Sequence, residues 1–143
     1  MVAAVGEWEP TMRKIRLLIC AGYWGLLTVF LLAPNPIAVV GLRRFPTFPW
    51  GDIGIHLTAF TILTLLVHGS RWPKRIGWPF LAVLLAYGIT TESLQCFVPS
   101  RAVDLLDYTE NILGVAVGTG ISWLVHRLIQ RGGAAPTPVA DLE

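Results

Sequence analysis

The chain has 143 residues, enough for one domain and too short for two ordinary ones. Only 14% of the residues are charged, against about 25% in soluble domains, while 54% are hydrophobic and gathered in blocks. With a mean hydropathy of +0.61, that balance excludes a soluble domain and marks an integral membrane protein. The net charge of +2 is too small to recruit nucleic acid.

In chain order, residues 1–14 read as a short polar tail, and the basic residues Arg13, Lys14 and Arg16 mark its junction with the first span, about 15–33. A basic flank before an apolar run also describes a signal peptide, but no small-x-small cleavage pattern follows Leu31 and Leu32. A retained helix is expected. Pro34, Pro36, Pro46 and Pro49 then mark a loop. Trp50 anchors a second span of about 50–68, whose nineteen residues would rise about 28 Å, close to a hydrocarbon core of about 30 Å. A basic turn, GSRWPKRIG, leads to the third span, about 77–98, and a short loop leads to the fourth, about 107–129. The Gly, Pro and Ala bias of residues 130–143 reads as a disordered tail. The expected fold is all-α, a single four-helix transmembrane bundle over 15–129.

The basic residues set the expected orientation. Eight of them (Arg13, Lys14, Arg16, Arg71, Lys74, Arg75, Arg127 and Arg131) fall on the side of the termini, and Arg43, Arg44 and Arg101 fall on the other. The positive-inside rule then puts both termini in the cytoplasm. Cys20 and Cys96 belong to opposite ends of the bundle, too far apart for a disulfide.

Polar residues concentrate at the expected outer ends. Asp52 and His56 share a helix face at i and i+4, as do Glu92 and Gln95 at i and i+3. On the fourth span Asp104, Asp107 and Asn111 form one stripe, which continues as Gly114, Gly118 and Ser122, a seam of small residues for close helix approach. Such groups are costly at membrane depth and mark a functional site by default. Asp52, His56, Glu92 and Asp107 are the candidate acid, base or ligand residues, and Gln95, Arg101, Asp104 and Asn111 the candidate binding residues. Several carboxylates together in a low dielectric need compensation, from protonation, from Arg101 and His56, or from a cation; Arg101 pairing is the baseline expectation. No resident cofactor is identified, though a divalent metal would suit the donors. A plainer reading makes Asp104 an N-cap and Asp107 and Glu110 favourable charges at a helix N-terminus. His68 and His126 lie at helix ends that suit interfacial residues better than haem ligands.

The run Glu-x-x-Gln (Glu92, Gln95), Pro-x-Arg (Pro99, Arg101), then Asp-x-x-Asp-x-x-x-Asn-x-x-Gly-x-x-x-Gly (Asp104 to Gly118), with Asp52 and His56 upstream, resembles the VanZ-like membrane proteins. The resemblance covers roughly half the chain and singles out Asp52, His56, Glu92, Gln95, Arg101, Asp107 and Asn111. It implies a multi-pass protein of the cytoplasmic membrane, its pocket on the outer face. The partners expected are the lipid bilayer and a lipid-linked envelope precursor or a glycopeptide, through the family's association with reduced susceptibility to teicoplanin. The competing expectation is a non-catalytic assembly or scaffold protein whose polar cluster only holds helices together. No readable nucleophile pattern decides whether the pocket is enzymatic.

Overall fold

The computed structural model describes residues 5–34, 54–70, 78–99, 101 and 103–132. Within them the protein is all-α. Helix α1 is Val5–Leu32, α2 is Ile55–Gly69, α3 is Trp78–Leu94 with a 3-10 turn Gln95–Phe97, and α4 is Leu105–Gly132. Three stretches are long and apolar enough to cross a membrane: Pro10–Leu32, Pro79–Phe97 and Leu105–Arg131.

Three boundaries differ from the sequence reading. The expected tail over 1–14 is helical from Val5, with Pro10 inside the helix, because polar residues predict exposure and do not by themselves break a helix. At the other end α4 begins at Leu105 and runs to Gly132, three residues into the expected tail; residues 133–143 lie outside the described part. The third difference concerns the second span. Its helix has 15 residues and starts after Gly54, whose φ of 90° is left-handed and ends regular helix there at no steric cost. Fifteen residues rise about 22 Å, short of a full crossing.

The short helix is also the best enclosed. Phe60, Leu63, Thr64 and Val67 of α2 are buried, and with Leu84, Val115, Cys20, Leu27 and Leu31 they make the core. Helix α4 packs directly on α2 through the glycine seam: a Cβ on Gly114 would lie 2.6 Å from the Leu57 carbonyl, and one on Gly118 would lie 2.7 Å from Thr64 Cβ. The hydroxyl of Thr61 tightens the same contact by donating to the Gly114 carbonyl at 3.2 Å. Helix α1 is tied on through aromatics. Tyr23 donates to the Ala59 carbonyl at 3.0 Å, Trp24 meets Tyr87 edge-on, and Thr28 shares a 2.9 Å hydrogen bond with the Tyr87 hydroxyl.

The surface inverts the soluble pattern. Leu18, Leu26, Leu124, Leu128 and Ile129 are exposed, while Glu92, Gln95, Glu110 and Asn111 are buried. Apolar side chains face outward where lipid would solvate them, and the polar ones turn in. Both cysteines are free; Cys20 is buried and Cys96 exposed.

Candidate functional site

One end of the bundle gathers the polar residues. The C-terminus of α1, the start of α2, the end of α3 and the start of α4 all meet there, as the hydrogen bonds between them record.

His56, in the first turn of α2, lies between two residues of α4. Its Nδ1 is 3.1 Å from Asn111 Oδ1, and its Nε2 is 3.7 Å from Asp107 Oδ2. Asn111 reaches a third helix by donating from Nδ2 to the Gly88 carbonyl at 3.2 Å. That reach depends on Gly88 itself, where an added Cβ would come 3.2 Å from Asn111 Cβ and 3.0 Å from the Phe60 ring. Glu92 has no exposed surface. Its Oε2 accepts from Gln95 Nε2 at 3.1 Å, a bond the 3-10 turn makes possible by carrying Gln95 back over the helix end. Its Oε1 accepts from the Asp104 backbone N–H at 3.2 Å, which ties α3 to the start of α4. One donor atom each from His56, Glu92 and Asp107 lies within 4.8 Å of the others, a group able to hold a metal ion.

The other candidate residues stand differently. Asp52 lies outside the described residues. Arg101 does not pair with a carboxylate among the described residues. Instead its guanidinium donates to the carbonyls of Phe30 at 3.2 Å and Ala33 at 3.4 Å, where the last turn of α1 leaves acceptors free. Among the described residues Arg101 therefore acts as a C-cap of α1. Asp104 serves through its backbone N–H, while its carboxylate accepts from the Leu106 N–H at 2.8 Å as the N-cap of α4.

Glu110 has a role the sequence reading missed. Rather than serving its own helix, its buried carboxylate accepts from the Gly54 N–H at 2.7 Å and the Leu57 N–H at 3.4 Å, capping the neighbouring helix α2. The signal was present. Glu110 stands four and eight residues before Gly114 and Gly118, in phase with the seam that faces α2. At the far end of the bundle the two remaining histidines stay apart in role: His126 is exposed and bonded to Gln130, and the buried Nε2 of His68 has no partner among the described residues.

No family model matches the chain, and no solved structure matches it. The chain is similar to an uncharacterized protein of Schizosaccharomyces pombe, 28% identical over 127 residues that cover 82% of this chain and 78% of that protein. The likeness therefore runs through most of both chains, pocket helices included, and carries no activity with it.

Proposed function

We propose that this chain is a multi-pass protein of the cytoplasmic membrane, both termini inside, whose polar pocket opens at the outer leaflet and binds a lipid-linked component of the cell envelope. The observation that carries this reading is the meeting of His56, Glu92 and Asp107, from three helices, inside a bundle whose outer surface is apolar. Charged groups are kept at such depth where something is bound or moved. The eight-to-three division of Lys and Arg supports the orientation.

The substrate class follows from what borders the pocket. Phe97 and Leu105 are each 81% exposed, and Leu94 and Val103 are exposed too, all within two residues of Gln95 or Asp104. A ligand with a hydrocarbon tail can lie along that apolar border while its polar head enters the cluster. The resemblance to VanZ-like proteins supports an envelope component and extends the proposal to lowered teicoplanin susceptibility. If the bound component is processed, His56 with Asp107 or Glu92 supplies the acid and base.

Native mass spectrometry of the purified protein tests this. A co-purifying envelope lipid is expected in wild type and its loss in Glu92→Ala; a wild type that carries no lipid would remove the reading. A second reading, a structural cluster, is favoured by the way Glu92 and Glu110 are satisfied within the protein. Under it, Glu92→Gln and Asp107→Asn would lower bundle stability and leave lipid binding and teicoplanin susceptibility as in wild type.

A further inference from the structure

The protonation of His56 can be worked out from its neighbours. The Gly88 carbonyl can only accept, so the Asn111 amide must turn its nitrogen toward α3 and its oxygen toward α2. That oxygen, 3.1 Å from His56 Nδ1, can only accept in turn, so Nδ1 carries a proton. In the neutral ring Nε2 is then a bare lone pair. It faces Asp107 Oδ2 at 3.7 Å, beyond hydrogen-bond length, with the buried Glu92 carboxylate close by.

With both carboxylates ionised, three lone-pair donors converge with a summed charge of −2. The Arg101 guanidinium acts on these carboxylates only at a distance, because it is held on the carbonyls of α1. A proton, on His56 or on a carboxylate, would offset half of that charge; a divalent cation offsets all of it and gives His56 Nε2 a partner. The outer contacts fit the same picture. Asn111 orients the imidazole, and Gln95 with the Asp104 N–H orients Glu92, as the second layer around a metal does.

Resting on the reading of this pocket as a ligand site, we propose that His56 Nε2, Glu92 and Asp107 bind a divalent transition-metal ion, Zn2+ or Mn2+. One imidazole and two carboxylates suit these borderline-to-hard ions. Donors about 2.0–2.2 Å from a tetrahedral centre lie about 3.3–3.6 Å apart, so the His56–Asp107 pair at 3.7 Å needs to close by a few tenths of an ångström and the widest pair, within 4.8 Å, by up to about 1.5 Å. Three protein ligands leave a coordination position open, and an anionic headgroup oxygen of the bound lipid would fill it.

The test uses full-length protein in detergent, stripped with a chelator and titrated calorimetrically with Zn2+ and with Mn2+. Wild type is expected to take up one ion per chain. Binding should weaken at least 100-fold in His56→Ala and Glu92→Gln at unchanged helix content, and about 10–100-fold in Asn111→Ala. Tyr108→Phe should bind as wild type. Wild type that takes up neither ion, or ligand variants that bind as tightly as wild type, would overturn the proposal. Should the variants not fold, nitrogen-15 NMR of wild-type His56 decides. A Zn2+-dependent shift at Nε2 with Nδ1 still protonated supports the site, and two protonated nitrogens in the presence of Zn2+ overturn it. Native mass spectrometry separates this failure from that of the parent reading: lipid retained without an ion ends the metal proposal alone, and neither retained ends both.

Discussion

Helix α4 meets α2 twice, in two different ways. Across its first turns Asp107, Glu110 and Asn111 reach α2 through side chains, and the partners are a histidine ring and backbone N–H groups. One to two turns further on, Gly114 and Gly118 bring the two backbones together with nothing between. The same face therefore changes from a polar cluster to bare contact over about 10 Å of helix. A membrane bundle draws little from hydrophobic burial between helices, so close backbone packing has to hold the pair, which leaves the polar end free to serve a ligand. Substitutions on the two stretches should part accordingly.

The largest effect belongs to the glycine seam. Gly114→Val would force a side chain where even Cβ lies 2.6 Å from the Leu57 carbonyl and 2.7 Å from Phe60 Cβ. A loss of about 3 kcal/mol is expected, read as a lowered melting temperature in detergent. Gly120→Val, with nothing within 4 Å of its Cβ, is the control on the same helix and should melt close to wild type. Equal melting of the two variants would break the comparison.

Glu110→Ala should cost less, about 2 kcal/mol, by uncapping the start of α2. Its signature is local: hydrogen exchange should speed up at the Gly54 and Leu57 amides and leave those facing Gly118 as they were. Smallest is Asp104, whose carboxylate caps its own helix. Asp104→Ala should lose about 1 kcal/mol and Asp104→Asn only a few tenths, measured by the same melts. An equal loss in both would mean that the charge, and not the cap, matters.

Much of this was legible in the sequence. Blocks of apolar residues gave the helices and their number, and the phase of Asp107, Asn111, Gly114 and Gly118 gave the face of α4 that packs. His56 and Glu92 could be placed at matched depth from their distance to the helix ends. What stayed hidden turned on partners that periodicity does not name. Arg101 was assigned to the acids because charge pairs with charge, and among the described residues its guanidinium donates to the carbonyls at the end of α1. The plainer reading kept Glu110 on its own helix because dipole preferences are local, while in three dimensions the start of α2 is at hand. The length of α2 was overestimated because the span was started at the interfacial anchor Trp50, and hydropathy is blind to a left-handed residue such as Gly54.

The shortness of α2 has a consequence for the lipid around it. Its 15 residues cover about 22 Å of a layer about 30 Å thick, about 8 Å less than a full crossing. His56 is the second residue of that helix. On the proposed orientation, a bilayer that thins to match so short a helix would bring headgroup oxygens down toward His56. The protein would draw a headgroup downward to His56 instead of lifting a whole lipid out of its leaflet.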